Sequence, residues 1–255
     1  MKVRTAVPAA LALALALPAA RAAAQATPQL PEAREVLERY IEAVGGRTAM
    51  LRHDARRTEA EMSMPAAGLT MTMEILNARP DKMFTRVRIP MAGELTGGYD
   101  GTTAWQVHPM TGAQALTGAE LRKTQRQADF DAQANYRKWF SSMETVGRGE
   151  SGGRPCWQVK IATVDGQEIT NCYDVETGLL LSATGTEMGA EAVILYEDYR
   201  DFGGVKYPTK VTTSAGGQQL VLTVKSVTYD AIPASAFAVP DAVKAAAAPA
   251  AAPAP

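Results

Sequence analysis

The sequence predicts a mainly β fold, with roughly ten antiparallel strands in one meander that is curled or closed to bury an inner face. A helix opens the meander and a helical insertion interrupts it. Three observations carry this reading. From about residue 60 onward the apolar residues recur at every second position instead of at helical spacing. The apolar runs are separated by turn dipeptides: Gly97-Gly98, Gly152-Gly153, Asp165-Gly166, Thr177-Gly178, Gly203-Gly204 and Gly216-Gly217. Helical periodicity is confined to the start and to one insertion, which excludes the strand-helix alternation of a parallel sheet.

The opening text, "MKVRTAVPAALALALALPAARAAAQATP", has Lys2 and Arg4 ahead of an apolar run and small residues around Ala24 and Ala26. It reads as a cleavable signal peptide over residues 1–26. The run from Ala6 to Ala20 is too short to span a bilayer, and no cysteine near the cleavage point offers a lipid attachment atom. The expectation is an exported protein with no transmembrane segment after processing. The domain is then 27–241, and the Ala/Pro tract 242–255 reads as a disordered tail with nothing large to bury.

In "PEAREVLERYIEAVGG", Val36, Leu37, Tyr40, Ile41 and Val44 form one helical stripe that ends at a double glycine. A short helix, "RTAMLRHD", follows. The stretch "AEMSMPAAGLTMTMEIL" then predicts a hairpin whose single apolar face carries Met62, Met64, Leu69, Met71 and Met73. If "PAAG" is a four-residue loop, Met62 meets Met71 and Met64 meets Leu69. Further strands are predicted at 82–89, 94–99, 103–108, 144–150, 156–164, 168–175, 179–187, 192–199, 205–214 and 218–229. The insertion, Gly118 to Phe140, reads as one helix or two, with Leu121, Phe130, Tyr136, Trp139 and Phe140 as its apolar contacts.

The formal net charge of −1 becomes more negative once Lys2, Arg4 and Arg21 are removed, so no basic footprint for nucleic acid is present. The cluster Arg52, Arg56, Arg57 reads as a solvated helix end. The sequence has two histidines, His53 and His108, with no metal-ligand spacing between them, and it lacks the nucleophile-elbow, phosphate-loop and zinc-helix motifs. No metal, cofactor or catalytic residue is predicted. The carboxylates Glu197, Asp198 and Asp201 read as a solvated strand end. On the strand 103–108, Trp105 and Val107 share one face, with His108 on the other. The methionine face allows three readings: ordinary core, the adaptable wall of an acyl-chain cavity, or a soft-ligand copper site. Cys156 and Cys172 flank one hairpin, and in an exported chain they are expected to pair, directly opposite one another if the loop centres on Val164.

The pieces "LERYIEAVGGRTAM", "GGYDGTTAWQVHPMTG", "ANYRKWFSSMETVGRGESGGRPCWQVKI", "YDVETGLLLSATG" and "YRDFGGVKYPTKV" resemble, in order and spacing, exported bacterial proteins of the LolA-like superfamily, related to the outer-membrane lipoprotein carriers. The resemblance covers most of residues 35–240. It implies an incomplete, half-open antiparallel β-barrel with helices as a lid over an apolar cavity. The carriers of that group shield lipoprotein acyl chains and hold their closed state with a buried arginine. No arginine of this chain is matched to that one. The resemblance does not supply the disulfide either, since the family pattern has an aromatic at the position of Cys172.

The expected function is a periplasmic, non-enzymatic carrier or sensor that binds a lipid or acylated lipoprotein. Its cavity wall would be Met62, Met64, Leu69, Met71, Met73, Trp105 and Val107, with Tyr136 and Trp139 on the lid. The competing expectation is an interaction module with a filled interior that docks on a peptidase or another envelope protein complex.

Overall fold

A computed structural model describes residues 29–187 and 189–247. The signal-peptide segment and the end of the Ala/Pro tract lie outside the described residues. Helix α1, Ala33–Ala43, buries Ala33, Val36, Leu37 and Ile41 along one stripe. The stripe is the apolar periodicity of the text made physical. The helix stops where Gly45 takes φ +122° and comes against the backbone of Gly204, so close that a Cβ there would lie 2.1 Å from the Gly204 carbonyl oxygen. Only glycine fits that approach. Helix α2, Gly46–Met50, follows at once.

Thirteen strands form one antiparallel sheet: β1 Ala55–Met64, β2 Leu69–Ala78, β3 Lys82–Ile89, β4 Gly93–Tyr99, β5 Ala104–His108, β6 Gly112–Ala115, β7 Phe140–Ser151, β8 Arg154–Thr163, β9 Glu168–Asp174, β10 Leu180–Glu187, β11 Ala190–Phe202, β12 Val205–Ala215 and β13 Gln218–Thr228. Pairing of β1 with β13 joins the two halves, and the order runs from β6 at one edge to β7 at the other. The sheet does not close. Helix α3, Gly118–Ala128, and a 3-10 turn at Tyr136–Lys138 connect the two edges.

Cross-strand register fixes the faces, because directly opposed residues point the same way. One series runs Tyr196, Val211, Leu222, Met62, Met71. A second runs Met73, Val87, Leu95. Beneath α1 the same face carries Val159, Ile161 and Tyr173. Beneath α3 it carries Met83, Tyr99 and Ala104. This is the inner face.

Several expectations are corrected. Among the described residues the strands number thirteen where roughly ten are expected, in the same open antiparallel sheet. Gly97-Gly98 is no turn but part of β4, where a Cβ on Gly98 would sit 3.0 Å from the Trp105 ring. Trp105 and Val107 lie on the outer face, opposite to the methionine hairpin, because Trp105 registers with Gly98, Phe84 and Leu76 while Met71 is of the other parity on β2. Trp105 is nonetheless 2% exposed. The inner side of that region is taken by α3, and the segment after β13 runs against β3, β5 and β6 on the other. That segment includes helix α4, Asp241–Ala247, with Phe237 and Val243 buried. Residues 241–247, which composition alone assigns to a tail, are thus a helix that begins just after Pro240 and buries Val243.

The disulfide Cys156–Cys172 is present, with Cα atoms 5.3 Å apart. The cysteines are diagonal instead of directly opposite, since Cys172 registers with Gln158 and Cys156 with Asp174. Both lie on the outer face with Leu181.

Candidate functional site

The inner face is incompletely filled. A cavity of about 590 Å³ opens between the β7–β11 half and the lid, lined by Phe140, Ile161, Ile169, Ala183, Ile194 and Tyr196 among others, with Arg126, Glu168, Gln167, Asn171 and three threonines as polar lining. A smaller hollow of about 200 Å³ lies over β3 and β4, where Met83, Val87 and Leu95 meet Thr124 of the lid. The methionine hairpin stands on the same face between them. Met62 faces Met71 and Met64 faces Leu69, the register a four-residue loop implies. Met71 is buried at 7% exposure, while Met62, Met64, Leu69 and Met73 are half-buried.

The lid is fastened by charge. Arg126 of α3 donates from Nε and Nη2 to the two carboxylate oxygens of Asp165 at 2.9 and 3.0 Å, and Nη2 also reaches Gln167 Oε1 at 2.6 Å. Asp165 sits in the β8–β9 turn with its side chain 1% exposed. Burial pushes this carboxyl up, yet the hydrogen bonds from Arg126 and Thr163 together with the guanidinium charge hold it below its usual value. At the other flank Gln125 donates to the Tyr99 hydroxyl at 3.2 Å. Trp139 donates from its ring nitrogen to Asp129 at 2.8 Å, and Tyr136 donates to Glu38 at 3.0 Å while packing under α1. Tyr136 and Trp139 thus serve as struts of the connection, with their polar ends on carboxylates.

Arg56 is one residue that sequence reading missed. It lies on β1, in step with Asn77, and therefore on the inner face instead of at a solvated helix end. Its guanidinium donates to the Tyr207 hydroxyl and to Asn77 Oδ1, both at 3.0 Å, and lies over the Tyr207 and Phe130 rings. No carboxylate among the described residues pairs with it. A signal existed: the alternation Met64, Met62, Ala60 continues back through Thr58 to Arg56 once the strand is extended to its start. Arg126 carried no such signal, since it is one of three cations on a polar helix. Arg57, in contrast, faces outward and pairs with Glu74.

The floor under α1 is tyrosine-rich. Burial pushes the Tyr40 and Tyr173 hydroxyls up, so both are neutral hydrogen-bonding groups, and their rings pack 5.3 Å apart. The histidines are structural. His108 Nδ1 accepts from the Met110 and Thr111 backbone N–H groups at 3.1 and 3.4 Å, while His53 stacks on Tyr229 and bonds Gly203. Glu197 pairs with Lys210, and Asp201 accepts from the Gly204 backbone. These arrangements assemble no nucleophile-base pair.

Comparison of the fold decides its class. A LolA superfamily protein from Nitrosomonas europaea superimposes with a TM-score of 0.58 at 13% identity, covering 82% of this chain and 98% of that one. The fold is LolA-like. A DUF1329 family protein from Desulfovibrio piger matches the LolA-like sheet equally, with a TM-score of 0.58 at 12% identity over 82% of this chain and 98% of that one. An outer-membrane lipoprotein-sorting protein domain from Vibrio parahaemolyticus gives 0.55 at 11% identity over 77% and 93%. No protein-family model matches the sequence, and no curated protein matches it. Among the described residues, no helix is long and apolar enough to cross a membrane.

Proposed function

We propose that this LolA-like protein is a periplasmic, non-enzymatic carrier or sensor that holds a lipid or the acyl chain of a lipoprotein against its inner face. The observation that carries the reading is the 590 Å³ cavity between sheet and lid, a size within the roughly 300–1,000 Å³ of ligand pockets. The apolar part of its wall, left to water, is costly at about 25 cal/mol per Å². None of the methionines lines this cavity; their half-buried row stands on the same inner face across β12 and β13, where thioethers accommodate chains of varied shape. The likeness to a lipoprotein-sorting domain supports the same reading. The filled interior that a pure docking module requires is what the cavity argues against.

The test is titration of the purified protein with a fluorescent fatty-acyl probe. Saturable binding is expected, with Trp157, which packs with the inner cluster, as intrinsic reporter in place of Trp105. Ala183→Phe fills the cavity from a lining position, and Met71→Asp places an unpaired charge on the inner face. Each should weaken the probe by about tenfold or more, a change of about 1.4 kcal/mol. A parent protein that binds no acyl probe, lipid or acylated peptide refutes the carrier reading, as does undiminished binding by a folded Ala183→Phe variant.

A further inference from the structure

The β3–β4 and β5–β6 hairpins end in nearly the same text, Ile89-Pro90-Met91-Ala92-Gly93 and His108-Pro109-Met110-Thr111-Gly112. The two turns adjoin, since a Cβ on Gly93 would lie 3.5 Å from the Pro109 Cβ. Met91 is 107% exposed and Met110 is 86% exposed, well above every other exposed large apolar side chain among the described residues. The third hairpin at this edge, β1–β2, closes through Pro65, Ala66, Ala67 and Gly68, all exposed. None of the three turns carries a charged residue.

Single exposed apolar residues are ordinary and need no explanation. This pair differs in three ways. The two side chains project from adjoining tips. Met91 also takes φ +63° at the second central position of a turn closed by the Ala92 N–H donating to the Ile89 carbonyl at 3.1 Å. A turn that needs positive φ there favours glycine or asparagine, so the backbone as well as the solvent disfavours a methionine. Such a doubly unfavourable placement points to use. Finally, both arginines directly behind the tips are paired with carboxylates: Arg88 with Glu94 at 2.8 Å, and Arg86 with Glu74 at 3.2 Å and Glu94 at 3.4 Å. The result is an apolar point above a polar belt with little net field.

We propose that these methionine-tipped hairpins dock the protein on a lipid bilayer, with Met91 and Met110 entering the interfacial region. A bilayer is favoured over a protein partner because each side chain stands alone on a narrow turn, and a medium that closes around it from all sides buries it most fully. A flat partner surface would touch only one flank. The neutralised belt further implies that zwitterionic lipid suffices and that binding survives salt, unlike attachment through a basic patch. The inference does not rest on the carrier reading, since docking and cargo binding use different residues and are measured separately.

Met91→Cys, Met110→Cys and Thr102→Cys variants are each labelled with an environment-sensitive fluorophore. The chain's two native cysteines are joined in the disulfide, so labelling is specific. Thr102 lies in the exposed turn at the other end of β4 and β5, about 20 Å away along a seven-residue strand. On phosphatidylcholine vesicles, a blue shift is expected at positions 91 and 110, none at 102, and persistence in molar salt. The Met91→Asp/Met110→Asp double variant should co-float with vesicles at least about tenfold less than the parent, because a carboxylate is costly in the interface. Four results overturn the proposal: no shift at either tip, an equal shift at 102, a shift abolished by salt, or a shift that appears without vesicles as protein concentration rises, which would assign the tips to a second copy of the chain. Acyl-probe titration in vesicle-free solution reports on the cavity independently of all four.

Discussion

Removing the Arg126 side chain tests whether the lid is held by charge. Arg126→Ala would leave the Asp165 carboxylate, 1% exposed, without its guanidinium, while Arg126 itself is 19% exposed in the pair. Breaking a buried pair from one side costs about 3–5 kcal/mol. The lower end applies here, because the guanidinium keeps some contact with water and Thr163 still bonds the carboxylate. About 3 kcal/mol in a domain of this size lowers the melting temperature by about 6–12 °C, at about 2–4 °C per kcal/mol. The pH dependence has a definite sign. The folded-state pKa of Asp165 is depressed, so its stabilisation is present above the unfolded carboxylate value of about 3.9 and is lost as pH falls through the lower folded value. The gap between variant and parent should therefore be flat from neutral pH to about 5 and shrink below about 4. Thermal melts monitored by circular dichroism at several pH values, with amide exchange followed over α3, make the measurement. A variant that melts with the parent and leaves α3 exchange unchanged refutes the clasp.

Two further outcomes are expected. Denatured but unreduced protein should show no reactive thiol, and reduction should cost about 3 kcal/mol for a closed loop of about 15 residues; two thiols per chain on titration would contradict the pairing of Cys156 with Cys172. Truncation after Pro240 removes α4 with Val243, 1% exposed, and should cost about 1.5–3 kcal/mol in chemical denaturation. Removal of 248–255 alone, an Ala/Pro tract, should leave stability unchanged, and equal losses in both truncations would locate the effect outside α4.

The meander was legible because period-two text is hard to satisfy any other way. In Lys82–Ile89 the run Arg86-Val87-Arg88-Ile89 alternates, and the segment is a strand with those bounds. The helical insertion divides into α3 and the Tyr136–Lys138 turn because Asp129 turns its side chain back on the Asp131 backbone N–H at 3.0 Å and ends the helix. Strand β6, "GAQA", escaped notice because it has no large side chain from which to read a period. Its position is set by β5, on which it pairs at the sheet edge. Gly97-Gly98 reads as a turn for the reason Gly98 is useful inside β4: without a Cβ it leaves room, and the Trp105 ring fills it.

The site was less legible, and the difficulty lies in which face is which. Along a single hairpin, parity is secure, so Met62 and Met71 could be placed together. Between hairpins, parity passes through the register of every intervening strand, and Trp105 is separated from Met71 by β3 and β4. A sheet with one wet face would resolve this, because apolar residues would mark the inside. This sheet is covered on both faces near β5, by α3 within and by the chain after β13 without, so the burial of Trp105 gives no direction. Arg56 and Arg126 belong to the same class of problem. Their roles are defined by Tyr207, 151 residues distant, and Asp165, 39 residues distant, and no local pattern records such partners. What local pattern does supply is the inward parity of Met71, and a charge placed there probes the inner face wherever the tryptophans happen to lie.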